Sequence, residues 1–292
     1  MQNELSKMKV GFIALGDIGM PMARNLLKNG VDLTVYDLRK DVVDAAVKLG
    51  AKAAGSLKDL ATRCEYICIA VVNEAQMEAV TEGPGGIFAN AAPGSVILAH
   101  STMPPEVAKQ FGQRAADKGF LWLDAPMSGA RIAAEDGTLT FLVGGDAALL
   151  DRCRPILNAM GTHIFHLGPI GNGQVAKLVN GVMFHVGYVV TLEALKLANA
   201  YGVSEEQIMA LAAQSTGNSW VVKHWGYMDE LVLDHSQGPQ AVIYSHLRKD
   251  INDALIAAKT AKKSMPMTAL AMQEYPELMT ARMLAKGHKI DY

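Results

Sequence analysis

A glycine-rich turn near the start of the chain constrains the fold more than any other feature. The apolar run Val10 to Leu15 leads into Gly16 and Gly19, where a helix-like pattern begins. A buried strand that ends in such a turn presents backbone N–H groups at a helix start, where they can bind a pyrophosphate. Ala14 occupies the first position of the usual G-x-G-x-x-G pattern. The turn alone is therefore weak evidence.

The segment after the turn strengthens this interpretation. Val31 to Tyr36 is a second short apolar run, and Asp37 follows it close to the offset at which a carboxylate meets an adenosine ribose. A carboxylate there accepts hydrogen bonds from both ribose hydroxyls and repels a 2′-phosphate, so the sequence favours NAD over NADP. Arg39 and Lys40 follow and soften that preference. The alternative is that Asp37 is an ordinary turn or helix-capping residue without a ligand.

Short apolar runs alternate with helical patterns up to about residue 166, and helix-like segments without a convincing strand follow. This order predicts an α/β fold, a Rossmann-type doubly wound and mainly parallel sheet followed by an all-α domain. We expect an NAD-binding domain over 1–167 and a helical substrate and oligomerisation domain over 168–292, beginning with a long interdomain helix. The predicted strands are Val10 to Leu15, Leu33 to Tyr36, Tyr66 to Val72, Val96 to His100, Leu121 to Ala125, Leu139 to Val143 and Ile164 to Leu167.

Charge and composition argue against several classes of protein. The chain carries 27 Lys plus Arg against 29 Asp plus Glu, without a basic block that would follow a nucleic-acid backbone. Cys64, Cys68 and Cys153 lack zinc-like pairing with histidines, which indicates reduced core thiols and no metal site. No uninterrupted apolar stretch has membrane-spanning length, and the first residues lack a signal core. We therefore expect a cytoplasmic protein without a membrane partner.

One lysine lies inside an unusually apolar predicted helix. The helix begins near Gly171 and continues to about Tyr201, and Lys177 shares a face with Asn180 and Gly181 because residues three and four apart are neighbours. Loss of solvation on such a face lowers the pKa of a lysine and suits the amine to proton transfer near neutral pH. The alternative is a lysine whose aliphatic stem extends to the surface.

Five motifs along the chain occur together in one known family. They are Gly19-Met20-Pro21-Met22-Ala23-Arg24-Asn25-Leu26, Ser101-Thr102-Met103-Pro104-Pro105-Glu106, Asp124-Ala125-Pro126-Met127-Ser128-Gly129 with Gly137-Thr138-Leu139, the segment around Lys177, and Lys249-Asp250. In this order and at these separations they resemble the β-hydroxyacid dehydrogenases, which include 3-hydroxyisobutyrate dehydrogenase and tartronate semialdehyde reductase. The resemblance covers nearly the whole chain.

The resemblance implies hydride transfer between a nicotinamide cofactor and a 3-hydroxy acid or its semialdehyde, with NAD favoured and NADP possible. Lys177 matches the catalytic lysine, which acts as general acid and base while the cofactor handles the hydride. Ser128 and Gly129 are implied to fix the substrate. The residues implied to bind the cofactor are Leu15, Gly16, Asp17, Ile18, Gly19, Asp37, Val71, Val72, Asn73, Thr102 and Lys249.

The sequence departs from the family around the expected substrate. Gly181 stands where the family usually has an asparagine, and Asn180 replaces that group only if the helix is rotated or bulged. Ala130 and Arg131 lie in a loop where glycines are common, and the arginine can pair with an anionic substrate group. His246 is either a second acid or base in the pocket or a structural hydrogen-bonding residue. The candidate substrate-binding residues are therefore Ser128, Gly129, Ala130, Arg131, Asn180 and His246.

Two other functions stay open at this point. An imine reductase has a similar architecture but usually lacks the lysine, so Lys177 argues against it. A non-catalytic dinucleotide-binding protein gains support from Gly181, whereas Ser128, Lys177 and Lys249 oppose it. The helical half is also rich in Met and Ala. Because excess apolar helical surface is commonly buried between subunits, we expect a homodimer or homotetramer.

Overall fold

The computed structural model describes the backbone over 5–234 and 239–287, and the side chains over 5–230 and 248–287. The chain divides into two compact units, Met1–Lys177 and Leu178–Tyr292. The first unit contains the strands, and the second consists of helices in the part that is described. The predicted fold class, an α/β unit followed by an all-helical region, is therefore confirmed.

A six-stranded parallel sheet forms the centre of the first unit. Its strands are β1 (Lys9–Ile13), β2 (Asp32–Tyr36), β3 (Lys52–Ala53), β4 (Tyr66–Ile69), β5 (Val96–Ala99) and β6 (Leu121–Asp124). They lie in the order β3-β2-β1-β4-β5-β6, and every neighbouring pair is parallel. The chain winds outward in both directions from β1 and β4. In an open parallel sheet, ligands bind beyond the carboxyl ends of the strands at such a reversal.

A smaller sheet follows the large one. It contains β7 (Met127–Ser128), β8 (Leu139–Val143) and β9 (Gly161–His166), with β7 antiparallel and β9 parallel to β8. An antiparallel bridge between Asp124, the last residue of β6, and Gly144, which follows β8, links the two sheets. Each of the seven runs predicted as strands overlaps an observed strand, whereas the sequence does not predict β3 and β7, because two residues are too short to show a periodic pattern.

Helices cover both faces of the large sheet. They are α1 (Gly19–Lys28), α2 (Lys40–Lys48), α3 (Leu57–Arg63), α4 (Glu74–Thr81), α5 (Ile87–Asn90), α6 (Pro105–Asp117), α7 (Ala130–Asp136) and α8 (Ala147–Asn158). Successive side chains of a strand point to opposite faces, so Phe12 and Ile13 of β1 belong to different apolar clusters. The three cysteines are free and buried, and burial raises the pKa of each thiol.

The second unit is built from helices around an apolar core. A long helix, α9 (Asn172–Ala200), leads into it and is followed by α10 (Glu205–Ala213), α11 (Trp220–Lys223), α12 (Tyr227–Asp234), α13 (Pro239–Thr260) and α14 (Pro266–Ala285). Tyr188 of α9 packs with Ile251 and Tyr275 in this core. The buried Arg282 pairs with Asp229 at 2.6 Å and so connects α14 to α12.

Helix α9 is the one helix in the described part of the chain whose length and composition would allow it to cross a membrane. One third of its most apolar window is buried, at 33%. Lys177 and Lys196 lie along it, while Tyr188, Val189 and Leu192 are buried in the helical core. Part of the helix therefore packs into the apolar core of the second unit.

Candidate active site

The glycine turn lies at the carboxyl end of β1, beside the reversal in strand order. Gly16 has open space where a side chain would start, so its backbone can approach a ligand closely. A side chain at Gly19 would collide with the carbonyl oxygen of Ala14, which fixes the start of α1 against the turn. Ala14 itself has φ of 75°, in the left-handed region that favours glycine. The turn thus keeps its glycine-like conformation with alanine in the first position.

Asp37 is held at the end of β2 by several donors. Its Oδ2 accepts a 2.7 Å hydrogen bond from the Leu15 N–H, and its Oδ1 accepts one of 2.9 Å from the Arg39 N–H. The Arg39 guanidinium also contacts Oδ1 at 3.2 Å. Burial raises the pKa of Asp37, but the hydrogen bonds from Arg39 and Leu15 outweigh it, so the pKa lies below its usual value. The group is a carboxylate at neutral pH.

The loops after β4 and β5 place the remaining candidate cofactor residues of the first unit at the same edge. The Ser101 hydroxyl donates to the Val71 carbonyl oxygen at 2.7 Å, which joins the two loops. Val72 is 64% exposed. The Asn73 side chain caps α4 by accepting from the Gln76 N–H at 2.9 Å. The open glycine, the ionised Asp37 and these strand ends fit an extended dinucleotide.

The segment after β6 contains the candidate substrate loop. Gly129 and Ala130 have φ of 117° and 54°, so the residue before α7 and the first residue of α7 both adopt left-handed conformations. Arg131 pairs with Glu135 at 2.8 Å. It lines a cavity of about 230 Å³ together with Gly16, Asp17, Arg24 and Arg39, so the structure places this arginine beside the glycine turn.

Lys177 lies on the second turn of α9 and is partly buried. The helix is continuous from Asn172 to Ala200 without a bulge, so Asn180 can take the place of the family's asparagine only if the helix is rotated. In a regular helix Asn180 lies about 60° to one side of Lys177 and Gly181 about 40° to the other. A side chain at Gly181 would have His185 as its nearest neighbour, at 3.9 Å.

The remaining candidate residues, Lys249 and His246, belong to the second unit. Lys249 of α13 pairs with Asp253 at 3.1 Å and approaches Asp250 at 3.9 Å. Asp250 also lies 4.0 Å from the Nε2 atom of His185 on α9. The side chain of His246 lies outside the described residues, so its predicted role stays a prediction.

The sequence does not predict two buried polar residues at the site. His100 follows β5 and its Nδ1 lies 2.9 Å from the Ala125 carbonyl oxygen, while burial lowers its pKa to about 4. Gln174 is buried at the start of α9, where its side chain contacts the loop after β5. His100 directly precedes the motif that begins at Ser101, and Gln174 lies in the segment around Lys177. Nothing in the sequence around either residue marks it as part of the site. Within the described residues, no group of three potential ligands could hold a metal ion.

Comparisons with known proteins agree with this geometry. Residues 9–168 match the NAD-binding domain of 6-phosphogluconate dehydrogenase, and residues 171–289 match the NAD-binding family of NADP-dependent 3-hydroxyisobutyrate dehydrogenase. The NAD-dependent L-serine dehydrogenase of Pseudomonas aeruginosa is 38% identical over 277 residues, 93% of this chain and 92% of that protein.

Solved structures extend the comparison. The 3-hydroxyisobutyrate dehydrogenase of Mycobacterium tuberculosis, solved with L-serine, has a TM-score of 0.79 and 26% identity over 94% of each chain. An imine reductase from Myxococcus stipitatus has a TM-score of 0.67 at 18% identity over 94% of each chain, and this likeness shows the fold alone.

The parallel sheet, the glycine turn and the ionised Asp37 define an oxidoreductase that binds a nicotinamide dinucleotide. The chain belongs to the 3-hydroxyisobutyrate dehydrogenase family of NAD(P)-dependent β-hydroxyacid dehydrogenases. Its relatives act on CH–OH donors, and the chain is an oxidoreductase of the same kind.

Proposed function

We propose that this protein transfers hydride between NAD and a short 3-hydroxy acid, or its semialdehyde, with Lys177 as general acid and base. One observation carries the proposal. The helix that bears Lys177 begins at the edge of the sheet where the glycine turn and the loops after β4 and β5 also lie, because Gly171 and Gln174 hydrogen-bond to Asp124 at 2.9 and 3.1 Å. A lysine fixed at that edge can exchange a proton beside the nicotinamide.

The proton chemistry follows from the two forms of the amine. In oxidation the neutral amine of Lys177 takes the proton of the substrate hydroxyl, and in reduction its ammonium form returns a proton to the developing alkoxide. The nicotinamide, when bound, accepts or supplies the hydride. Ser128 and the backbone of Gly129 and Ala130 orient the substrate, and Arg131, Asn180 and His246 complete the proposed substrate-binding set.

We propose NAD as the preferred cofactor. The side chain of Asp37 is 9% exposed and ionised, so it favours ribose hydroxyls and opposes a 2′-phosphate. Arg39 is engaged with Asp37, which limits its availability for such a phosphate. The proposed cofactor contacts are Leu15, Gly16, Asp17, Ile18, Gly19, Asp37, Val71, Val72, Asn73, Thr102 and Lys249. The division into a cofactor-binding part, 1–167, and a helical part, 168–292, belongs to this proposal.

L-serine is itself a 3-hydroxy acid, and it appears in the names of the two dehydrogenases compared above. We therefore place it first among the substrates to test, with 3-hydroxyisobutyrate second. Gly181 widens the face of α9 that carries Lys177, because a side chain there meets no atom closer than 3.9 Å. This space favours a substrate with more bulk near the reacting carbon.

The test is a nicotinamide absorbance assay with NAD and with NADP. The panel contains L-serine, 3-hydroxyisobutyrate, a bulkier aromatic 3-hydroxy acid, the matching aldehydes and a cyclic imine. We expect turnover of at least one 3-hydroxy acid or aldehyde, with higher kcat/KM for NAD. Reduction of the imine alone would support an imine reductase instead. Intact NAD binding without any turnover would support a non-catalytic binding protein.

We also propose a cytoplasmic homodimer or homotetramer, without nucleic-acid or membrane partners, that uses the apolar face of α9. Val179, Met183 and Val190 on this helix are 52%, 72% and 50% exposed. Exposed apolar side chains along one helix face are typical of subunit interfaces. Light scattering at micromolar concentration should give a multiple of the 31.3 kDa chain mass, and Met183→Glu should lower it. A wild-type monomer would contradict the proposal.

A further inference from the structure

The start of α9 is fixed by one buried carboxylate. Asp124 ends β6 and is fully buried, and its Oδ1 accepts the Gly171 N–H at 2.9 Å while its Oδ2 accepts the Gln174 N–H at 3.1 Å. The first N–H groups of a helix lack partners within the helix, so a carboxylate that accepts the Gln174 N–H and the Gly171 N–H just before the helix sets the helix position. Gly173 allows this close approach, since a side chain there would press on Asp124 and the Leu142 carbonyl.

The side chain of Gln174 joins this helix start to the loop after β5. Its Nε2 donates to the Ser101 carbonyl oxygen at 2.9 Å, and its Oε1 accepts the Met103 N–H at 3.0 Å. Gln174 has no exposed surface. The two hydrogen bonds hold the backbone at the residues on either side of Thr102. We call this pair of hydrogen bonds the Gln174 bridge.

The Gln174 bridge continues into a second loop and into the helix. Ser101, whose carbonyl oxygen accepts from Gln174, donates its hydroxyl to the Val71 carbonyl oxygen at 2.7 Å. On the other side, Lys177 follows Gln174 by three residues, which corresponds to about 4.5 Å along the helix axis. One buried amide therefore connects the loops of Val71 and Thr102 with the helix segment that carries Lys177.

We infer that Gln174 is a positioning residue, which sets the place of the Lys177 amine relative to Thr102 and so to the nicotinamide. This inference rests on the proposed function, in which Thr102 lies beside the nicotinamide ribose and Lys177 moves the proton. An amide fits the position because it offers one donor and one acceptor in a fixed arrangement. A carboxylate offers only acceptors, and a thioether offers neither strong group.

Gln174→Met and Gln174→Glu separate positioning from packing. The methionine has nearly the same shape and leaves the Ser101 carbonyl and the Met103 N–H without partners. We expect kcat to fall about 10- to 100-fold, the scale of a misplacement of about 1 Å, while the Kd for NAD changes less than about threefold. Hydrogen exchange at the Met103 amide should accelerate in this variant.

The Gln174→Glu variant adds a pH signature that a purely structural role would not give. A protonated carboxyl group has an O–H donor and a carbonyl acceptor, so it can restore both contacts, whereas the carboxylate opposes the Ser101 carbonyl. The ratio of variant to wild-type kcat, measured for reduction of an aldehyde, should rise about tenfold as the pH falls and the introduced carboxylate takes up a proton. The same ratio for Gln174→Met should stay flat.

Ile156→Ala is the matched control, because Ile156 is fully buried in the same unit on α8, which carries none of the proposed site residues. It should lower stability without lowering kcat or exposing the Met103 amide. A kcat for Gln174→Met within twofold of wild type, in an enzyme that does turn over, overturns the positioning role alone. A wild-type chain that turns over neither 3-hydroxy acids nor aldehydes overturns the proposed function and the positioning role together.

Discussion

Replacement of Ala14 by glycine should stabilise the protein, although it deletes a methyl group. Ala14 has φ of 75°, and an L-residue in that region costs about 1 to 2 kcal/mol. Glycine removes this cost but gains freedom in the unfolded chain, which opposes folding by about 0.4 to 1 kcal/mol. The difference between these ranges predicts a net gain of up to about 1.6 kcal/mol in the free energy of unfolding, about 0.8 kcal/mol at their midpoints.

Ala91→Gly provides the control for this prediction. Ala91 has φ of −74° and ψ of 154°, which alanine adopts without strain, and like Ala14 it is partly buried against the same apolar cluster. Its replacement should lose about 0.5 to 1 kcal/mol through chain entropy. Urea titration of both variants beside wild type should therefore give shifts of opposite sign. Equal destabilisation by the two substitutions would refute the argument from strain at Ala14.

Three further outcomes follow from the site. Asp37→Ser removes a negative charge and frees Arg39, so the kcat/KM for NADP divided by that for NAD should rise about 10- to 100-fold. An unchanged ratio would count against the role of Asp37. Gly181→Asn should raise stability by a few tenths of a kcal/mol and change substrate preference, whereas Gly181→Ala should give only the stability gain. Burial lowers the pKa of His100 from 6.5 in the unfolded chain to about 4 in the folded protein, so between these pH values the unfolded chain binds one more proton. The free energy of unfolding should therefore fall by up to about 1.4 kcal/mol for each pH unit as the pH drops from 6.5 towards 4. His100→Leu should flatten this pH dependence in urea titrations at about pH 6.5 and 5.

Much of the fold follows from patterns that are local in the sequence. The apolar runs and glycine turn specify the parallel sheet, because strands buried on both faces are continuously apolar and each needs a helical crossover. Strands of two residues, β3 and β7, leave no such pattern. They form because their neighbours in the fold supply the pairing.

In the same way, some parts of the site follow from local sequence patterns and others do not. Asp37 could be placed from its offset to the glycine turn, since that spacing reflects one strand-helix-strand unit. The bridge made by Gln174 could not, because its partners Ser101 and Met103 are more than seventy residues away in the sequence. The position of Arg131 beside the glycine turn likewise depends on how α7 packs, which no local pattern in the sequence shows.

The central claim is that Lys177 moves the proton while NAD moves the hydride, and Lys177→Met tests it most directly. Lys196→Met is the control, since Lys196 is an exposed lysine on the same helix. With the substrate identified by the panel, kcat of Lys177→Met should fall about 100- to 10,000-fold while the Kd for NAD stays within about threefold of wild type. Lys196→Met should match wild type in both. Turnover by Lys177→Met at the wild-type rate would contradict the account.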